Sequence, residues 1–228
     1  MYWDKEKPEK SELRDDVIDV LFSLECRELP IEHITPLSNA LIKAAPWLAD
    51  EPQVAIHPIH LAGSQNGWER PGPDDEQQLM LSKRTKLTIR VPRHRLEDIK
   101  KLSGQTLDIA GHPMKLGKTK IKKLSNLTTI FCRELSTSEN EDENAFMERV
   151  ANILKQKNIP MTKALPGMMH TVKTDKGEVK VRSLLLANLT TEQSLQLQHD
   201  GIGDQQLLGC GIFIPHKGIE AVHEIDDE

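Results

Sequence analysis

The sequence predicts an α+β protein made of two successive β-α-β-β-α-β units. Three observations carry that prediction. Segments of strand period and helix period alternate in the same order twice along the chain. Proline, glycine or a short polar run marks most of the changes of period. In both halves two consecutive apolar strands sit between the two helices, the order of a ferredoxin-like, RRM-like unit.

Each element has its own justification. "VIDVLFSLECREL" is β-branched and apolar without a breaker, which predicts one long first strand. "PLSNALIKAAPWLAD" predicts a helix with Thr35 as N-cap and Pro36 at the first helical position, its apolar Leu37, Ala40, Leu41 and Ala44 at helical spacing. "QVAIHPIH" predicts a short strand, and "GSQNGWERPGPDDEQQ" a loop. "LMLSKRTKLTIRVP" alternates apolar and basic residues and predicts a strand. "HRLEDIKKLSG" predicts a short helix ending at Gly104, and "QTLDIAGHPMKLGK" a hairpin. The second half follows suit. "LTTIFCREL" predicts a strand, and "NAFMERVANILKQKN" an amphipathic helix. A hairpin then turns at 175–177, and "TTEQSLQLQHDG" predicts a helix capped by Thr190 or Thr191, with Gly201 past its end. "GIFIP" closes the unit. The expected domains are 1–123 and 124–228.

The bulk numbers bound the class. At 228 residues, with 37% hydrophobic and 29% charged residues, the chain suits a folded water-soluble protein. Cys26, Cys132 and Cys210 lie far apart and lack metal-ligand spacing, which predicts buried thiols in a reducing compartment, with no metal. No signal-peptide pattern and no membrane-length apolar run is present, so the expected location is the cytoplasm, away from membranes. No cofactor is expected. The net charge of −5 hides a segregation: between Lys83 and Lys123 thirteen Lys or Arg face only Glu97, Asp98 and Asp108. Charge sorted this way offers a basic surface to a polyanion. Solvated faces that differ by chance are the plainer alternative.

"GIGDQQLLGCGIFIPHKG" holds two pairs of glycines, Gly201 with Gly203 and Gly209 with Gly211. A phosphate loop places its glycines between a strand and a following helix, so that the helix N-terminus faces the phosphate. Here the order is helix, glycines, strand, which argues against a nucleotide cradle. A glycine-capped connection, or a backbone passing close to a polynucleotide, remains.

The spacing G-h-G-x5-G-h-G, near the C-terminus of two β-α-β-β-α-β units, resembles the CRISPR repeat-processing endoribonucleases, the "Cas six" family. "LECRELPIEHITPLSNALIKAAPWL", "AIHPIH…GSQNGW", "LSKRTKLTIRVP" and "GCGIFIPHKGI" are most similar to its myxobacterial-type (Myxan) branch, and the likeness runs from about residue 17 to 222. Members often carry Lys or Arg in the five-residue spacer. "DQQLL" carries none, which shifts phosphate binding towards Lys83, Arg84 and Lys86.

The resemblance implies a metal-independent endoribonuclease. In that chemistry the RNA 2′-OH attacks the adjacent phosphorus, leaving a 2′,3′-cyclic phosphate and a 5′-OH. The reaction needs a base, an acid and cationic charge around the phosphorane. His33 stands where the family commonly keeps its catalytic histidine; a histidine in a helix-leading turn is the structural alternative. His57 and His60 are alternatives or partners, His57→His60 spacing around Pro58 being unsuited to a metal pair on a regular strand. Lys83, Arg84, Lys86, Lys118, Lys120, Lys122, Lys123, His216 and Lys217 are candidate RNA contacts, solvated surface being their alternative. The expected partner is a CRISPR repeat RNA stem-loop, recognised by shape and backbone. Other interference-complex subunits are further candidates. A non-cleaving repeat-RNA binder of the same fold is the second functional expectation.

Overall fold

In the computed structural model the described residues are 16–60, 78–138, 140–175 and 177–217. The predicted loop between the second and third strands lies almost wholly outside them, as does the acidic tail "HEIDDE".

The first unit begins with β1 (Val17–Glu25) and the short β2 (Glu28–Pro30), followed by α1 (Ile34–Ala44) and α2 (Trp47–Asp50). Then come β3 (Ala55–Ile56), β4 (Gln78–Met80), β5 (Lys86–Pro92), α3 (Leu96–Lys100), β6 (Thr106–Ile109) and β7 (His112–Lys123). The second unit has β8 (Ile130–Ser136), α4 (Glu143–Gln156), β9 (Lys163–Thr174), β10 (Gly177–Ala187), α5 (Thr191–Asp200) and β11 (Phe213–Pro215).

The first sheet has the order β3-β5-β1-β7-β6, and the second β11-β8-β10-β9. Taking the four main strands of each, both read 2-3-1-4 or its reverse, the ferredoxin-like arrangement, with β6 added at the edge of the first sheet. β2 and β4 pair separately as a two-stranded ribbon.

Alternation sets the two faces of the first sheet. Ile18, Val20 and Phe22 of β1 and Leu87, Ile89 and Val91 of β5 are buried and form one core with Leu37 and Leu41 of α1. The second core joins Ile130, Cys132 and Leu184 to Phe146 and Val150 of α4, Leu197 of α5 and Phe213 of β11. Truncating a fully buried Phe22, Phe146 or Phe213 to Ala would cost about 3–5 kcal/mol.

The two units are packed together. Val172 of β9, Val181 of β10 and Cys210 belong to the first core cluster. Asn39 of α1 donates to Asp175 at the β9–β10 turn, 2.6 Å. His199 of α5 lies 3.2 Å from Asp16, just before β1, and 2.7 Å from Asp200.

Several sequence expectations need correction. The first strand is not continuous: it breaks at Cys26 and Arg27 because β2 turns away to pair with β4. The first helix is capped at His33, not Thr35, and stops at Ala44 ahead of Pro46, with α2 following separately. The Thr35 hydroxyl is buried and has no hydrogen-bond partner among the described residues. "SKRTK" is not strand throughout, since residues 81–85 connect β4 to β5 and Ser82 N–H donates to the buried Thr85 hydroxyl, 3.2 Å. The expected strand at "QVAIHPIH" is only Ala55–Ile56.

The second helix pair follows expectation more closely. Thr190 caps α5 in a capping box with Gln193, at 3.2 and 2.9 Å, and Gly201 ends the helix at φ 66°. No described helix is long and apolar enough to cross a membrane.

Candidate active site

Three separated stretches of sequence meet beside the start of α1. His33 is 4% exposed. Its Nδ1–H points at the carbonyls of Ile31 and Pro30, 3.0 and 3.1 Å away, and its Nε2 accepts the Ile59 N–H at 3.0 Å. The ring therefore joins the start of α1 to the segment carrying His57 and His60. The carbonyl contacts also fix the tautomer, so that Nε2 is the acceptor nitrogen.

The glycine loop closes the same junction. A Cβ on Gly209, whose φ is 81°, would sit 2.5 Å from Pro58 Cγ and 3.5 Å from Ile34 Cδ1. The loop also folds on itself: Ile202 N–H donates to the Gly211 carbonyl at 3.1 Å, and a Cβ on Gly211 would fall 1.9 Å from the Ile202 carbonyl oxygen. Gly203 faces open space by comparison, Ser136 Oγ at 3.8 Å being its nearest neighbour. These glycines let backbone meet backbone and let the second unit dock on Pro58. The neighbouring cleft, lined by Ala55, Arg90, Gln198, Gly201 and Gly211 among others, has a volume of about 80 Å³, too small to seat a nucleotide.

The His33 ring touches the backbone of the segment that carries the other two expected histidines, and the three differ in state. His57 is largely buried, its Nε2 3.8 Å from Asp19 Oδ1. Burial, and then the Arg90 charge, pull its pKa down to about 3 against the opposing effect of Asp19. The ring is neutral at neutral pH and is poorly suited to act as the general acid. His60 is exposed. His216 lies just beyond β11, its ring 6.0 Å from that of Phe131.

The basic candidates divide by strand geometry. Lys118, Lys120 and Lys122 share one parity of β7, and Lys120 and Lys122 pair with Leu21 and Asp19 of β1. Lys86 pairs with Ser23, so it shares that sheet face, opposite the Ile18–Val20–Phe22 core. All four are exposed. Lys123 falls on the other parity, exposed Lys83 and Arg84 sit in the turn before β5, and Lys217 is exposed beyond β11. Other members of the basic run are already paired: Arg95 with Glu51, Lys100 with Glu97, Lys101 with Asp98 and Lys115 with Glu25.

Sequence reasoning missed the centre of this face. Arg90, counted among the surface cations, is 2% exposed. Its Nε donates to Asp19 Oδ1 at 2.8 Å and its Nη2 to Oδ2 at 3.3 Å. Its Nη1 donates to the carbonyls of Gln198 and, at 3.3 Å, Phe213 in the second unit. A lone Asp in "VIDVLF" and a lone Arg in "LTIRVP" were the available signal, because a charge inside an apolar strand needs a partner. Among the described residues no group of three His, Cys, Asp or Glu side chains is placed to hold a metal ion.

Fold and site define the class: a tandem ferredoxin-like protein whose two units are joined by a glycine loop, with His33 at the joint and exposed lysines along β7 of the first sheet. The "Cas6 Crispr" family model matches residues 18–218, and the chain belongs to the Cas6 family. It is similar to the CRISPR-associated endonuclease Cas6 of Myxococcus xanthus (strain DK1622), 24% identical over 198 residues that span 87% of this chain and 81% of that protein. That relative agrees with the myxobacterial resemblance. Among solved structures, the fold is similar to a CRISPR-associated protein Cas6, with TM-score 0.60 at 12% identity, covering 88% of this chain and 100% of that one. It is also similar to a RAMP protein described as binding different RNA substrates, with TM-score 0.57 at 13% identity, covering 88% and 100%.

Proposed function

We propose that the chain binds CRISPR repeat RNA and cuts the precursor transcript within each repeat, without a metal ion. The single observation that carries this reading is the junction where His33, the His57–His60 segment and the glycine loop of a Cas6-family chain converge. The 2′-OH attacks the adjacent phosphorus, giving a 2′,3′-cyclic phosphate and a 5′-OH on the leaving strand. His33 is the base in this proposal. Its tautomer already presents Nε2 as an acceptor, and RNA binding frees that atom by displacing the Ile59 N–H. Exposed His60, the residue after Ile59, is the partner that protonates the leaving oxygen in this proposal. Lys86, Lys118, Lys120 and Lys122 hold the backbone on the first sheet, with Lys83, Arg84, Lys123, His216 and Lys217 as further contacts.

The experiment is cleavage of the host repeat RNA in EDTA, by the purified chain and by His33→Ala and His60→Ala. Cyclic-phosphate product in EDTA, reduced on the order of 10²–10⁴-fold in His33→Ala, supports the proposal. Cleavage abolished by EDTA, or undiminished in His33→Ala, refutes it in that part.

A second reading has its own observation. His33 is buried with both ring nitrogens engaged, as in a purely structural histidine. A chain that binds repeat RNA tightly and leaves it whole would be a repeat-RNA binding subunit, with other CRISPR proteins as its partners.

A further inference from the structure

The hydrogen bond that occupies His33 is made by a peptide whose neighbour is pressed from the other unit. Beyond β3, residues His57, Pro58 and Ile59 are each held by a different element. His57 donates its N–H to the Thr88 carbonyl of β5 at 3.1 Å. Ile59 is 2% exposed, buried in the first core, and its N–H meets His33 Nε2 at 3.0 Å. Pro58, between them, has no N–H to anchor it, and its ring faces the glycine loop. A Cβ on Gly209 would stand 2.5 Å from Pro58 Cγ and 2.9 Å from Cδ, so only a bare Cα lets loop and ring meet this closely.

The loop is fastened to both units. Leu207 and Cys210 pack against the first core. Gly211 N–H donates to the Glu134 carbonyl of β8 at 2.7 Å, and Cys210 N–H to the Gln205 carbonyl at 3.1 Å. The Gln206 side chain closes the turn on the Gly203 carbonyl at 2.7 Å. A displacement of β8 is therefore carried through Gly211 to Gly209 and on to Pro58. The residue next to Pro58 is the one that blocks His33. An imidazole nitrogen that accepts an N–H cannot at the same moment take a proton from a 2′-OH, because one lone pair serves both. How firmly Pro58 and Ile59 are seated thus governs how readily Nε2 is freed.

We propose that Gly209 and Pro58 are positioning residues for His33. The glycine loop, seated on Pro58, keeps the Ile59 N–H on Nε2, and RNA that engages the second unit draws the loop back and releases the base. The inference rests on the reading of His33 as the base. It gives the loop a part in the reaction apart from any contact with RNA: cleavage in the first unit becomes conditional on occupancy of the second. Neither residue touches the reacting atoms.

The test uses Pro58→Ala in the full chain, which removes the ring that Gly209 meets and leaves His33, Ile59 and the loop unchanged in sequence. Nitrogen NMR of protein carrying labelled histidine reads His33 directly, without RNA and at neutral pH. The Nε2 resonance is expected to move downfield, as it does when an acceptor nitrogen loses its donor, while Nδ1 stays in place. Single-turnover cleavage of the host repeat RNA in EDTA, at saturating RNA, should rise roughly three- to tenfold, the worth of one neutral hydrogen bond. The RNA concentration at half-saturation should not change. Gly209→Ala crowds the same contact from the other side and should move the same resonance, which decides the matter if Pro58→Ala melts below the assay temperature. An Nε2 resonance that stays put in both variants overturns the positioning role and leaves His33 as the base. So does a saturated rate in Pro58→Ala that is unchanged or lowered. A wild type that leaves the repeat whole in EDTA, or His33→Ala that still cuts it at the wild-type rate, overturns the reading of His33 and this inference together.

Discussion

Arg90 and Asp19 form a two-pronged ion pair in the interior of the first sheet, and the same guanidinium reaches two carbonyls of the second unit. One side chain therefore settles a buried carboxylate and tethers α5 and β11. Arg90→Met leaves Asp19 charged, buried and unpaired, and Asp19→Ala strands Arg90 in turn. Either change should cost about 3–5 kcal/mol in chemical denaturation. The double variant should be less unstable than the sum of the two, because it removes both charges. Additive losses would show that the pair is not coupled.

Three of the four glycines should differ in cost by position. Gly211→Ala places a Cβ 1.9 Å from a backbone oxygen, and Gly209→Ala places one 2.5 Å from Pro58. Gly203→Ala meets nothing closer than 3.8 Å and bears only the strain of φ 88°. The expected order of destabilisation is Gly211 above Gly209 above Gly203, the last about 1 kcal/mol. Thermal melts of the three variants check it. An equal loss at Gly203 and Gly209 would remove the docking role given to Gly209.

Stability should begin to fall at mildly acidic pH, before ordinary carboxylates titrate. The folded His57 pKa is about 3, below its usual 6.5. The unfolded chain therefore takes up that proton first, and the contribution of His57 is lost as pH falls from about 6.5 towards 3. Glu141 adds a second limb: the Arg149 hydrogen bond lowers its pKa from 4.5 to about 2, so its contribution fades over that range. Asp19 acts in the same direction: burial raises its carboxyl, and the Arg90 charge together with the Arg90 hydrogen bond and neighbouring charges brings it below the usual carboxylate range. Urea melts from pH 7 to pH 4 should show the early fall in wild type and much less of it in His57→Gln. A flat profile in wild type between pH 6.5 and 4.5 would contradict the buried neutral ring.

Cysteine reactivity offers an independent check on packing. Burial pushes the Cys210 thiol up to about 12 and Cys132 higher still. Half-buried Cys26 is raised as well, by burial. In the native protein an aromatic disulfide reagent should leave Cys132 and Cys210 unmodified while reacting slowly at Cys26, and all three should react in denaturant. Native labelling of Cys210 would mean that the glycine loop leaves Pro58 readily.

Much of the fold was legible because it is written in local period. The β8–α4–β9–β10–α5–β11 order, the Thr190 cap and the Gly201 stop are each fixed by a few adjacent residues. The errors fell where a distant partner decides. Cys26 and Arg27 interrupt an apolar run because β2 pairs with β4 some fifty residues on. The start of α1 moved to His33, whose ring is held by Ile59 as well as by neighbouring carbonyls.

The sequence by itself determined the order and type of most elements, the family likeness, and the pool of histidines, cations and glycines. Tertiary structure decided which of them can meet a ligand. It buried Arg90 against a carboxylate 71 residues away, neutralised His57, engaged both nitrogens of His33 and left His60 and the β7 lysines exposed. The physical reason is that period and turn chemistry act over a few residues. Burial and charge pairing, by contrast, depend on whatever the folded chain brings alongside.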